Sequence, residues 1–163
     1  MRSSDVMSDV VAGVQRVFTD IPDPAMRAFE RWLLASSDAV TVRPVQSFVK
    51  PYGANHILEI VGQFGVSCAF FRPGEETSYH CHSRRTEFYC VRTGALELAW
   101  ADRQLTLVPY QYAHSKPGES HRLRNVGANV LEVLELFSPP LLDDKVRIGD
   151  RYGRRLGGVS RDQ

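Results

Sequence analysis

Two stretches near the start of the chain carry apolar residues at every third or fourth position, which is the spacing of one helix face. The first covers 5–18, and its apolar stripe consists of Val6, Val10, Val14 and Val17. The second runs from Asp23 as N-cap and Pro24 as first helical residue to about Ala35, where the polar run 36–38 ends it. Its buried face would consist of Phe29, Trp32 and Leu33. We predict two helices that pack on the rest of the fold or against a second copy of the chain.

From residue 40 onward the pattern changes to short alternating or β-branched runs separated by turn residues. The runs occupy 40–45, 56–61, 66–71, 86–92, 96–100, 105–108, 121–126 and 130–137. Many short strands without helices between them are typical of an antiparallel sandwich or barrel. We expect a helical extension over 1–39, a barrel over 40–140, and a loop-like basic segment over 141–163 that packs on or near the barrel mouth.

The composition is that of a globular domain. Of the 163 residues, 43% are hydrophobic and 24% are charged, and the formal net charge is +1, so nothing attracts the chain generally to nucleic acid or to an anionic membrane. No apolar run approaches the length of about 20 residues that spans a bilayer, and the first residues do not resemble a secretion signal. We expect a cytoplasmic protein that binds neither nucleic acid nor membrane.

The cysteines do not form a recognisable pair or metal-binding set. Cys68, Cys81 and Cys90 are odd in number, lie in apolar or alternating runs, and show no CxxC spacing. This arrangement is typical of reduced, mostly buried thiols. We therefore expect no disulfide.

The candidate chemistry lies in two separated segments. His80 and His82 are two residues apart, and on a strand such side chains point to the same face about 7 Å from each other. Glu87 follows on the next predicted strand, and His121 comes much later, after a Pro-Gly turn. Three imidazoles and one carboxylate suit mid-row divalent ions. We predict that these four side chains hold one ion of Zn, Mn, Fe, Ni or Co per subunit inside the barrel.

The coordination of that ion leaves two alternatives open. An octahedral ion with four protein ligands keeps two open positions, where a substrate with two adjacent oxygens could displace water. A tetrahedral zinc bound by all four side chains would instead be closed and structural.

Both segments resemble the motifs of the cupin superfamily. The first motif is matched by Gly74, His80, His82, Glu87 and Gly94, and the second by Gly118, His121 and Asn125. The second motif departs from the pattern, because Lys116 replaces its proline and its leading glycine is absent. The resemblance implies an all-β fold, the cupin double-stranded β-helix or jelly-roll barrel. It does not imply one reaction, because cupins carry many chemistries.

A longer stretch, from Lys50 to Arg154, is similar to the type II mannose-6-phosphate isomerase domain. The similar segments are Lys-Pro-Tyr-Gly at 50–53, the stretch 78–89, His-Arg-Leu-Arg-Asn at 121–125, and the stretch 143–154. The resemblance implies metal positions at His82, Glu87 and His121. It also places Arg85 at the family's arginine, and Arg147, Tyr152 and Arg154 in the closing motif near the sugar phosphate. The family's glutamine, histidine and tryptophan are replaced by His80, Phe88 and Tyr89, and the added imidazole favours Fe, Mn, Ni or Co over Zn.

The function expected from these observations is a metal-dependent isomerase or epimerase of a sugar phosphate or a related polyhydroxy carbonyl compound. The reaction moves a proton beside a carbonyl, through an enediolate that an ion stabilises. By residue type alone, the candidates for the proton-transfer group are His114, Tyr89 and Glu97. The substrate-binding residues would be Arg85, Tyr89, Arg147, Tyr152, Arg154 and Lys50, with Lys116 as a further cation.

The same residues are compatible with two other functions. Three imidazoles and a carboxylate also suit a mononuclear iron dioxygenase, and the same barrel could be a non-catalytic sugar-binding cupin. In each case the ligand is a small molecule, and the arginines favour an anionic one. The apolar helices and the strand edges of a small barrel lead us to expect a homodimer.

Overall fold

The structure, a computed structural model, describes residues 3–35, 44–157 and 159–160. Helices α1 (Ser3–Val17) and α2 (Asp23–Leu34) confirm the helical spacing at the start of the chain. Pro22 is the N-cap of α2 and makes no side-chain cap hydrogen bond, so the prediction of Asp23 as N-cap is wrong by one residue. Neither described helix is long and apolar enough to cross a membrane. The predicted helix stop and the start of the strand predicted at 40–45 lie outside the described residues.

The rest of the described chain forms short antiparallel strands, which confirms the all-β barrel with an N-terminal helical extension. The strands are β1 (Gln46–Lys50), β2 (Gly53–Val61), β3 (Phe64–Phe71), β4 (Tyr79–His82), β5 (Thr86–Thr93), β6 (Leu96–Trp100), β7 (Gln104–Leu107), β8 (Tyr112–Ser115), β9 (His121–Asn125), β10 (Leu131–Ser138), β11 (Lys145–Gly149) and β12 (Val159–Ser160). One six-stranded sheet has the order β1-β2-β3-β10-β5-β8 and the other β12-β11-β4-β9-β6-β7. Between β3 and β11 the chain passes repeatedly from one sheet to the other, apart from the β6-β7 hairpin, and this interleaved order is that of a jelly roll.

One predicted loop is a strand. Residues 145–149 form β11, which pairs with β4 and places Lys145 opposite His82 and Arg147 opposite His80. Cross-strand partners point to the same face, so the two basic side chains face the barrel interior together with the imidazoles. The inner face of β11 is therefore polar, and a search for alternating apolar residues does not detect such a strand.

The helices cover the outer face of the first sheet, in agreement with the prediction that they pack on the rest of the fold. Phe29 of α2 meets Phe88 of β5 edge to face, with ring centroids 5.9 Å apart, and Phe18 meets Phe64 in the same way at 5.5 Å. Burial of each large side chain contributes roughly 1.5–3 kcal/mol. Cys68 and Cys90 lie in this helix-facing layer, where burial raises the pKa of each thiol to about 12. All three cysteines are free, as predicted.

A second apolar core fills one end of the space between the sheets, and the polar site lies beyond it. Strand β10 shows the division, because its inward side chains change along its length. Leu131 and Val133 belong to the inner core, Glu135 is a buried carboxyl, and Phe137 packs with Phe48 and Ile57 at the other end. Along β10 the barrel interior therefore changes from an apolar core to a polar region at Glu135, with a small apolar cluster at the far end.

Candidate metal centre

Four side chains from three strands converge in the polar region of the barrel. His80 and His82 lie on β4, Glu87 on β5 and His121 on β9, and all four are buried. One ligand-type atom from each lies within 4.8 Å of those of the others. Ligands bound at about 2.0–2.2 Å to one ion are separated by roughly 3–4.4 Å, so only small adjustments would bring the four onto one ion. The structure therefore brings together the whole predicted ligand set.

Each imidazole is fixed in orientation by a hydrogen bond at its Nδ1 atom. Nδ1–H of His80 donates to the carbonyl of Ser78 at 2.7 Å, and that of His121 donates to the carbonyl of Glu119 at 2.9 Å. Nδ1–H of His82 donates to Oδ1 of Asp144 at 2.8 Å. A proton on Nδ1 leaves the Nε2 lone pair for a metal, and such hydrogen bonds fix the tautomer and the ring orientation.

Asp144 is a site residue that the sequence did not reveal beyond its place in a family-like segment. Besides His82, it accepts the backbone N–H groups of Arg84 and Arg85 at 3.2 and 3.1 Å. Burial opposes its charge, but the hydrogen bond from His82 and the neighbouring N–H groups hold the pKa of Asp144 below its ordinary value. Asp144 is therefore a carboxylate that orients a ligand-type imidazole.

Glu87 is surrounded by donors. Arg85 donates to its Oε1 from Nε at 3.0 Å and from Nη2 at 2.6 Å, and the Tyr89 hydroxyl donates to its Oε2. Its oxygens also lie 3.2 Å from Nε2 of His82 and 3.0 Å from Nε2 of His121. Although burial disfavours the charge, interactions with His82 and Arg85 hold the pKa of Glu87 well below its usual range. The carboxylate is therefore ionised.

The protonation states fit a divalent cation. Burial lowers the pKa of His80 well below its ordinary value, and the nearby His121 and Lys145 lower it further, so the ring is neutral. Metal ligands must be deprotonated imidazoles and ionised carboxylates. The three imidazoles and Glu87 therefore form a group that could hold one mid-row metal ion.

A cavity opens beside this group. It is lined by Tyr52, Asn55, Thr77, His80, Arg85, Glu87, Tyr89, His121, Leu123, Glu135 and Lys145. Arg85 and Tyr89, both predicted to bind substrate, therefore lie at the wall of this cavity. The Arg85 guanidinium also donates to the carbonyl of Leu141 at 2.8 Å and lies 4.6 Å from the ring centroid of Phe137, so it is held in place.

Other predicted substrate residues do not line this cavity. The Tyr152 hydroxyl bonds to the Glu75 carboxylate and the Glu76 carbonyl, both at 2.7 Å, and Arg154 forms a doubly bonded ion pair with Asp150. The ammonium of Lys50 lies 4.7 Å above the ring of Phe48. Arg147 is buried opposite His80 but is also not among the lining residues.

Two of the three candidates for the proton-transfer group, His114 and Glu97, face away from the cavity. His114 pairs with Phe88, which points to the helices, and His114 lines a separate cleft with Arg16, Tyr112 and Lys116. Glu97 is on the outer face of β6, where it accepts from Gln104 at 3.1 Å. Because strand neighbours alternate in direction, neither side chain reaches the inner cavity. Tyr89 is the candidate of the three that does.

The sequence did not single out Asn55, Thr77, Glu135 and Lys145 as members of the site. A signal was available for Glu135, because a carboxyl inside the strongly apolar strand β10 must be buried, and buried carboxyls often serve a function. Residues from β2, β10 and β11 meet only through strand register, which the spacing of residues along the chain does not reveal.

Solved structures that share this fold include a member of the cupin superfamily. A sugar phosphate isomerase from the cupin superfamily of Silicibacter pomeroyi is 20% identical with a TM-score of 0.54, covering 63% of this chain and 76% of that one. KdgF from Halomonas sp. is 22% identical with a TM-score of 0.54, covering 57% of this chain and 85% of that one. Structural similarity at 20–22% sequence identity establishes the fold alone.

Curated relatives are proteins of polysaccharide and sugar-nucleotide biosynthesis. The xanthan biosynthesis protein XanB of Xanthomonas campestris pv. campestris is 35% identical over 107 residues, which are 64% of this chain and 23% of that protein. The alginate biosynthesis protein AlgA of Pseudomonas putida is 31% identical over 114 residues, 69% of this chain and 24% of that protein. A mannose-1-phosphate guanylyltransferase of Klebsiella pneumoniae is 32% identical over 107 residues, which are 64% of this chain and 23% of that protein. The chain spans about a quarter of the length of these relatives.

One family model covers most of the folded region. The model described as mannose-6-phosphate isomerase C-terminal matches residues 37–150, which is more than half of the chain. The matched interval includes the three imidazoles, Glu87 and the strands that carry them. The protein belongs to the mannose-6-phosphate isomerase C-terminal family, with the cupin fold.

Proposed function

We propose that this protein is a metal-dependent isomerase of sugar phosphates, with mannose 6-phosphate and fructose 6-phosphate as the first pair to test. The observation that carries the proposal is the three-imidazole, one-carboxylate group beside a cavity that His80, Glu87 and His121 line and whose other polar residues can bind an anion and exchange protons. Family membership supports the same class of substrate.

His80, His82, Glu87 and His121 would hold the ion. When bound, the ion supplies positive charge next to the substrate carbonyl, where negative charge develops during enolisation. Arg85 and Lys145 line the same cavity and add positive charge. A sugar phosphate is a polyanion, so two fixed cations inside a buried cavity favour its binding.

Two further groups could bind sugar hydroxyls. The amide oxygen of Asn55 is buried and has no hydrogen-bond partner within the described part of the chain, and Asn55 lines the cavity. A buried acceptor of this kind is costly unless a donor such as a sugar hydroxyl reaches it. Burial and the Glu87 charge raise the pKa of Tyr89 well above its ordinary value, so its hydroxyl stays protonated; its proton is donated to Glu87, and its oxygen can accept a hydrogen bond from a substrate hydroxyl.

The test is to purify the protein without chelator, measure its metal content, and assay mannose 6-phosphate and fructose 6-phosphate interconversion together with a panel of hexose and pentose phosphates. We expect one divalent ion per chain and measurable interconversion. His82→Ala should abolish both metal binding and activity, whereas His114→Ala, which alters an imidazole outside the cavity, should retain both. A metal-loaded protein that interconverts none of these sugar phosphates would contradict the proposal.

One observation favours a second candidate. His80 adds a third imidazole where the family's pattern has glutamine, and three imidazoles with a carboxylate also suit Fe(II) in a mononuclear dioxygenase. The same preparation distinguishes the two functions. Iron as the bound metal together with oxygen consumption on a polyhydroxy substrate would support the dioxygenase, and turnover under anaerobic conditions would support the isomerase.

A further inference from the structure

Glu135 is a buried carboxyl group at the centre of the first sheet. It lies on β10, between Ser67 of β3 and Tyr89 of β5 in the register of the strands. Glu135 is only 7% exposed and lines the same cavity as His80, Glu87 and His121, three of the four ligand-type residues. Because Tyr89 is its cross-strand partner and also points inward, Glu135 faces the candidate metal centre from the opposite sheet to that of β4 and β9.

Among the described residues that line this cavity, Glu135 and Glu87 carry the carboxyl groups. Glu87 is bonded by Arg85 and Tyr89 and belongs to the ligand-type group. A carboxylate committed to a metal and an arginine is a poor proton carrier, because its charge is already stabilised. Glu135 accepts one hydrogen bond from the Ser67 hydroxyl at 3.1 Å and is outside the ligand-type group. It is therefore the carboxyl group placed to exchange protons with a substrate.

The charges around Glu135 shift its pKa in opposite directions. The groups that face it are Ser67 from β3, Glu87 and Tyr89 from β5, Arg85 from the preceding turn, and Lys145 from β11. Burial and the Glu87 charge raise the pKa of Glu135 to about 7, while Arg85 and Lys145 act in the opposite direction. A bound divalent ion would lower this pKa by adding positive charge. A carboxyl group that accepts one hydrogen bond from a neutral hydroxyl and lies outside the ligand-type group can take a proton from a substrate carbon and return it.

We propose that Glu135 is the proton-transfer residue of the isomerisation, removing the proton from C2 of the aldose phosphate and returning it to C1. This inference rests on the proposed function. When the C2–H bond breaks, the proton goes to Glu135, its electron pair forms the C1=C2 bond, and the carbonyl oxygen at C1 becomes negative. The hydroxyl proton at C2 then passes to that oxygen, the C2 carbonyl forms, and C1 takes the proton from Glu135. No oxidant or reductant is consumed.

The test compares two glutamates of the same strand. Glu135→Gln keeps the size of the side chain and removes the carboxyl, and we expect kcat to fall by about 10²–10⁴-fold with little change in KM. Metal content should stay at the wild-type level. The control is Glu132→Gln, because Glu132 is also on β10 and 7% exposed but pairs with Arg92, which faces the helix side, at 3.5 Å. We expect Glu132→Gln to keep wild-type kcat.

Exchange with solvent gives a readout that a structural role would not affect. In D₂O the wild-type enzyme should incorporate deuterium at the carbon that receives the proton, and Glu135→Gln should lose this incorporation together with turnover. Glu135→Asp retains a carboxyl on a shorter side chain and should recover part of the activity that Gln loses.

A Glu135→Gln protein with kcat within about threefold of wild type would overturn the role of Glu135 and leave the isomerase function standing. If Glu135→Gln fails to fold, Glu135→Asp decides: wild-type kcat and an unchanged pH profile would also overturn the role. A metal-loaded wild-type protein that interconverts no sugar phosphate would overturn both.

Discussion

Oδ1 of Asp144 lies 2.8 Å from Nδ1 of His82 and fixes the ring that faces the candidate metal centre. The other carboxylate oxygen of Asp144 is held by two backbone N–H groups of the turn between β4 and β5. The contact therefore connects the residue that precedes β11 to β4, the strand that carries His80 and His82. A carboxylate in this position raises the basicity of the imidazole and reduces its rotation.

Asp144→Asn should weaken metal binding without removing any of the four ligand-type side chains. Loss of such a supporting carboxylate typically costs about 10–100-fold in metal affinity. Competition with a chromophoric chelator measures the affinity. Asp143→Asn is the matched control, because Asp143 is the preceding residue and is exposed. Equal affinities of the two variants would show that the His82 contact does not matter for binding.

His80→Gln should restore the residue of the family's pattern and change the preferred metal. Removing one neutral imidazole removes a ligand that mid-row metals favour, so we expect at least about tenfold weaker binding of Fe, Co or Ni, and a smaller loss for Zn. Metal analysis after growth in mixed metals, followed by titration, measures the selectivity. His114→Gln is the control and should leave the metal profile unchanged.

The stability of the protein should depend on pH through Glu135. Its pKa is about 7 in the folded protein and 4.5 without the fold, so the stability linked to its protonated form is complete below pH 4.5 and is lost as pH rises through 7. The Glu135→Gln variant has no carboxyl group at this position and therefore does not lose this stability as the pH rises. In the presence of chelator, the free energy of unfolding of Glu135→Gln relative to wild type should therefore rise by about 2 kcal/mol between pH 5 and pH 8. Urea titrations at both pH values measure this difference, and a difference that does not change with pH would contradict it.

The helical cover should contribute substantially to stability. Phe29 is fully buried and packs edge to face on Phe88, so Phe29→Ala should destabilise the protein by about 3–5 kcal/mol. Leu34→Ala, in the same helix, should cost far less, because Leu34 is 66% exposed. Urea denaturation of both variants gives the comparison. A small effect of Phe29→Ala would mean that α2 is only loosely attached to the sheet.

The sequence predicted the part of the site that is encoded locally. His80 and His82 share a strand face, and Glu87 lies just beyond the following turn, so short spacing was sufficient to place three of the ligand-type residues. His121 was found through its Pro-Gly turn: Gly118 has a φ of 77°, which favours glycine, and its N–H bonds to the carbonyl of His82 at 2.7 Å. The turn therefore ties the second segment directly to the first.

The rest of the site depends on which strands lie side by side. Lys145 reaches the cavity only because β11 pairs with β4, and Glu135 only because β10 lies between β3 and β5. The partners of arginines are equally difficult to predict from sequence. The resemblance places Arg154 near the sugar phosphate, and the sequence did not reveal that it pairs with Asp150, four residues earlier in the chain. A guanidinium pairs with whichever carboxylate the fold brings close to it.

The hydrogen bonds on the three imidazoles differ in how easily mutation can remove them. His80 and His121 each donate to the main-chain carbonyl two residues earlier, and every amino acid supplies that acceptor, so changes at 78 or 119 leave it in place. His82 relies on a side chain 62 positions away, and a single codon change can delete it. In this protein, single substitutions can therefore disturb the ring orientation of His82, through Asp144, more readily than that of His80 or His121.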